Sequence, residues 1–188
     1  MRLLANGYVS RPRRLTVVVM ALETMTEAEL FAETGDAYSS LIHLADGVEE
    51  AITRISACAD KTSNRLIHEL LRDGDSWRER LLGLVMATMR GVDEFYDSLI
   101  VSLHRTDGIS IVPICAALAV AVRDRGCEYN VAMTATLDRD QWDGEVGYAV
   151  DWFRHTIGMC DAPKESMGPN YGQDFATHLA FYETLNKP

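Results

Sequence analysis

Between Ser110 and Gly126 the chain carries a segment that would be apolar almost all the way round a helix. Val112, Cys115, Ala116, Leu118, Ala119 and Val122 leave it no broad polar face. Pro113 suits the first turn, where a missing N–H costs nothing, and Gly126 supplies the stop. A helix of this kind must be covered on several sides. The rest of the chain therefore has to provide elements that pack around it.

Those elements read as helices. After residue 25 the apolar residues recur with a period near 3.6, and two-residue alternation is absent. Thr26 with Glu29 forms a capping box that opens a first helix. Leu41, Leu44, Val48, Ala51 or Ile52, and Ile55 trace one helical face. A helix from about Ser63 turns Leu66, Ile67, Leu70 and Leu71 inward and stops at Gly74. Ser76 with Glu79 opens another, through Leu81, Leu82, Val85 and Met89 to Gly91. Val92, Phe95, Leu99 and Leu103 form the next, ending at Gly108. Beyond Gly126 the pattern predicts a shorter helix over about 127–137, one over 145–157 and a last one over 173–185.

The links are short except for 158–172, so neighbouring helices run antiparallel. Starts recur at Ser76, Ser110 and about Asp143, intervals of 34 and 33 residues that each hold two helices. The expected fold is all-α, built of antiparallel helical hairpins as a HEAT-like array or an irregular helical bundle. With 188 residues, one domain over 25–188 is expected. Residues 1–24 read as an N-terminal extension that is not native or is partly disordered. Their basic run Arg11 to Arg14 and apolar Leu15 to Leu22 imitate a secretory signal, but Glu23 closes the run and no cleavage site follows.

Charge limits the function classes. The chain carries −10 at neutral pH, and its first 24 residues hold Arg2, Arg11, Arg13 and Arg14 against Glu23 alone, so the acidity lies in the remainder. A body this acidic repels nucleic-acid phosphates and anionic membrane surfaces. It favours encounter with a cationic protein. Cys58, Cys115, Cys127 and Cys160 form no CxxC pair, which points to reduced thiols in the cytoplasm and away from structural zinc.

Motifs for phosphate, dinucleotide, zincin or nucleophile-elbow chemistry are absent from the sequence. No serine stands in a strained turn beside a plausible base, and no cofactor is implied. Asp151 with His155, and Asp174 with His178, are spaced i, i+4. If their helices faced each other, the four could hold a divalent metal for a small hydrolase, although an exposed Asp–His pair explains each without one. The more informative feature is a set of acidic turns before the hairpin helices. In an array, Asp73, Asp75, Asp107, Asp138, Asp140 and Asp143 would line one edge, with Trp77 and Trp142 as aromatic anchors for a basic protein surface.

Ser76-Trp77-Arg78-Glu79-Arg80-Leu81-Leu82, with Ile109-Ser110-Ile111-Val112-Pro113 opening the next hairpin, resembles bacterial all-α immunity-type proteins built of HEAT-like hairpins. The resemblance spans about residues 62–157. It implies a cytoplasmic, non-enzymatic protector that occludes the active site of a cationic toxin, with no catalytic residues. A helical scaffold that self-associates, for example as a homodimer, is the remaining expectation.

Overall fold

In the computed structural model the described residues are 24–44, 46–105, 108–125, 144–163 and 171–186, and no strand occurs among them. The chain enters its first helix, α1 (Glu27–Thr34), through a cap in which the Thr26 hydroxyl accepts from the Glu29 N–H and the Glu29 carboxylate accepts from the Thr26 N–H. Two orphan donors of the first turn are thereby satisfied. α2 (Tyr38–His43) and α3 (Val48–Ala59) follow.

The apolar spacing from Leu41 to Ile55 predicts one continuous helical face, and here the structure differs. Leu44 adopts the left-handed conformation (φ 48°) and Gly47 follows at φ 89°, so the chain turns between α2 and α3. Leu41 in α2 and Ala51 and Ile55 in α3 are still buried. Two short helices packed on one core therefore reproduce the spacing of a single long one.

α4 (Asn64–Arg72) starts at Ser63, whose hydroxyl accepts from the Leu66 N–H at 3.1 Å, and buries Leu66, Ile67, Leu70 and Leu71. α5 (Trp77–Met89) opens with the Ser76/Glu79 capping box. A 3-10 turn over Val92–Phe95 leads into α6 (Tyr96–His104), and α7 (Ile111–Arg125) comes next. α8 (Gly144–Thr156) and α9 (Tyr171–Leu185) complete the described elements. The helix expected over 127–137 lies outside the described residues, as does the extension up to residue 23.

α7 is the centre. Ile111 and every residue from Ile114 to Val122 are buried, and α5, α6, the 3-10 turn, α8 and α9 all pack against it. α9 also reaches α5. In a linear array each hairpin touches only its sequence neighbours. A last helix that returns to the middle of the chain makes the described elements an irregular bundle wrapped on α7.

Side-chain ties between distant segments lock this arrangement. Arg90, at the end of α5, donates to the carbonyls of Ala59 and Thr62 and to the Asn64 side chain, joining the end of α3 and the start of α4. Gly74 permits a close approach: a Cβ there would stand 2.5 Å from the Leu70 carbonyl oxygen and 2.8 Å from Glu79 Cβ. Among the described residues no helix is long and apolar enough to cross a membrane.

Candidate partner-binding surface

The first three helices and the links between them carry many exposed carboxylates. Glu27, Glu29 and Glu33 on α1, Asp36 before α2, Asp46 after it, Glu49 and Glu50 on α3, and Asp60 at its end are all exposed. Arg54 and Lys61 are the only Lys or Arg residues between 24 and 62, and Arg54 is engaged by Glu50 at 2.6 Å and Asp36 at 3.9 Å. Hydrogen bonds from the Thr26 backbone and then its hydroxyl hold the Glu29 carboxyl below the ordinary carboxylate range. The segment is therefore rich in exposed carboxylates, on short helices and the links between them, with little internal compensation.

An aromatic corner borders this segment. Tyr38, the first residue of α2, meets the half-buried ring of Trp77 edge-on, with centroids 5.4 Å apart. The Arg78 guanidinium lies 5.4 Å from the Tyr38 ring and 5.2 Å from the Trp77 ring. Trp77 also packs against the core cluster. So this anchor of the expected acidic edge is partly a core residue, and its exposed side already carries a cation from the same chain.

Asp73 and Asp75 are exposed at the turn before α5, and Arg105 approaches Asp73 at 3.8 Å while donating to the Arg72 carbonyl. Asp107, Asp138, Asp140, Trp142 and Asp143 lie outside the described residues. The structure thus places Asp73, Asp75 and Trp77 at one corner, and the denser run of carboxylates sits next to it on α1–α3. The acid density between Glu27 and Asp60 is visible in the sequence, whereas the exposure of those carboxylates follows only from how the helices pack.

The four residues considered as metal ligands do not assemble. Arg154 lies 3.9 Å from Asp151, and the His155 ring contacts the Cys160 carbonyl through Nδ1 at 3.1 Å. Asp174 is exposed, whereas His178 is buried with Nε2 3.0 Å from the Ile42 carbonyl oxygen. Among the described residues no three His, Cys, Asp or Glu side chains stand close enough to hold a metal ion. The i, i+4 spacing put each pair on one helix face without making the two faces meet.

A serine–histidine contact does occur where none was expected. Ser98 on α6 and His68 Nδ1 on α4 are 2.8 Å apart, and the imidazole tilts against Phe95 at 4.7 Å. Thirty residues separate the pair, so only helix packing reveals it. Ser98 is 1% exposed in the first turn of α6, which suits a tie between α4 and α6 rather than an attacking hydroxyl. No family model, curated protein or solved structure matches this chain.

Proposed function

We propose that the chain is a non-enzymatic binding protein that docks a cationic protein on the outer side of α1–α3. The observation that carries this reading is the run of exposed carboxylates from Glu27 to Asp60, opposed only by Arg54 and Lys61. Carboxylates fixed on helices give a field that steers a basic partner and sets its orientation. Tyr38 and Trp77 at the border add the aromatic area on which binding energy concentrates. Asp73 and Asp75 extend the acidic rim beyond the rings. In its specific form the docking blocks a toxin, as the resemblance to immunity-type proteins implies. A negative surface laid across a basic active site excludes substrate by occupancy and needs no chemistry of its own.

The test compares the full chain with a Glu27→Lys, Glu33→Lys, Glu49→Lys, Glu50→Lys variant as baits in a lysate of the source organism. The expected result is a basic protein bound stoichiometrically to the parent, released by raised salt, absent from the variant, and inhibited by added parent chain. Recovery of nucleic acid, of no basic protein, or of the same protein by both baits would refute the proposal.

A further inference from the structure

Tyr38 and Trp77 form a corner with two aromatic walls. Their ring planes stand at 81° with centroids 5.4 Å apart, and the Arg78 guanidinium lies 5.4 Å from the first centroid and 5.2 Å from the second. Both distances fall within the roughly 6 Å over which a ring quadrupole attracts a cation. Each ring is partly buried and packs against the core cluster, so the fold sets the two walls before any cation arrives. The corner is a preformed cation site, and its occupant belongs to the same chain.

That occupant is weakly held. Arg78 is exposed, and among the described residues no carboxylate pairs with its guanidinium, which is left with the two ring contacts. Side chains at adjacent helix positions do not face each other, so Arg78 has to bend back to lie over Trp77. Holding a long side chain in one such geometry costs rotamer freedom. Asp36 and Asp75, both exposed, stand two residues before Tyr38 and Trp77 and add negative charge beside the corner. An arginine from outside gains the same ring contacts that Arg78 gives up, and the carboxylates favour its arrival.

We propose that the Tyr38–Trp77 corner is the site for an arginine side chain of the cationic partner, and that Arg78 is its exchangeable internal occupant. The incoming guanidinium takes the place of Arg78 between the rings, and Arg78 swings into solvent. A tethered occupant competes at high effective concentration, so it turns away a lone arginine but yields to one on a partner already held by the carboxylates. The source of the arginine rests on the docking proposal, whereas the corner itself does not depend on the α1–α3 carboxylates.

NMR titration of the full chain with Nα-acetyl-arginine methylamide tests the corner, read on the ring signals of Tyr38 and Trp77. Arg78→Ala, an exposed change, is expected to give saturable shifts with a Kd of about 10–50 mM, and the parent to bind about three- to tenfold more weakly because Arg78 competes. The citrulline counterpart, of the same shape but uncharged, is expected to give no saturable shift. Absence of saturation in Arg78→Ala, equal binding of the citrulline probe, or equal affinity in parent and variant overturns the proposal. The partner arm uses Arg78→Ala and Arg65→Ala full chains as baits, the second removing the same charge without touching either ring. Arg78→Ala is expected to hold the basic protein about two- to fivefold more tightly than Arg65→Ala. Equal or weaker retention overturns the inference and leaves the docking reading in place. Recovery of no basic protein by any bait sinks the docking reading itself, and with it the partner's arginine as the occupant.

Discussion

Lowering the pH from about 7.5 to about 5 should destabilise this protein through His178 before the carboxylates titrate. Desolvation is the main force on the imidazole. The Ile42 carbonyl and Asp174 oppose it and His43 adds to it, for a net depression from the ordinary 6.5 to about 4. The unfolded chain takes up a proton on this residue as pH falls below about 6.5, and the folded chain does not until about 4. Stability is therefore present above the unfolded value and is lost as pH falls toward the folded one. Over the stated interval the loss from this one group is about 2 kcal/mol. Screening by water discounts little of it, because the side chain is 4% exposed. Urea unfolding at several pH values measures the slope, and His178→Gln, which keeps a donor for the Ile42 carbonyl, is the control. The variant should lose less than about 0.5 kcal/mol over the same interval. A parent whose stability is flat between these pH values, or a variant with the same slope, refutes the burial argument.

Arg90→Met should cost about 2–4 kcal/mol in urea unfolding, since it deletes the charge-assisted bonds that join Ala59, Thr62 and Asn64 to α5; a loss below about 0.5 kcal/mol would show those bonds to be solvent-compensated. Gly74→Ala should cost about 1–3 kcal/mol, because the new methyl meets the Leu70 carbonyl oxygen and Glu79 Cβ; an unchanged thermal midpoint would show that the turn gives way freely. Cys115 is fully buried and its thiol is pushed far up by desolvation. It should stay unlabelled by iodoacetamide until the protein unfolds, whereas peptide mapping that finds it modified in the native protein would contradict its position in α7.

What could be read from sequence was local. The boxes at Thr26/Glu29 and Ser76/Glu79 need only residues three apart, and the helices open where they predict. α7 was legible because an all-round apolar segment has one physical solution, which is to be surrounded. The split at Leu44 and Gly47 was not, because apolar spacing records which residues are buried and not whether the backbone between them is continuous. Gly47 was the one available sign of a turn. Contacts such as His68 with Ser98, or His178 with Ile42 across 136 residues, arise only from packing and leave no local trace. The acidic face was legible as composition. Its placement was not, because the turns suggested a regular array and the described helices wrap around α7 instead.

α2 links the proposed docking face to buried His178, and its weakness as a helix makes the link testable. It has six residues, spans about 9 Å, lacks a side-chain cap at Ala37 and ends on left-handed Leu44. A helix this short has little stability of its own, so tertiary contacts must hold it in place. Leu41 buried in the core, Tyr38 against Trp77 and the His178 bond to Ile42 are three such contacts. Removing the last frees the carbonyl end of α2, and with only Leu41 and the Tyr38–Trp77 contact left to hold so short a helix, the ring at its other end shifts as well. His178→Ala is therefore expected to shift the ring resonances of Tyr38 and Trp77 in NMR spectra as well as those of residues around Ile42. Shifts confined to the surroundings of Ile42 would show that Leu41 and the Tyr38–Trp77 contact hold α2 by themselves.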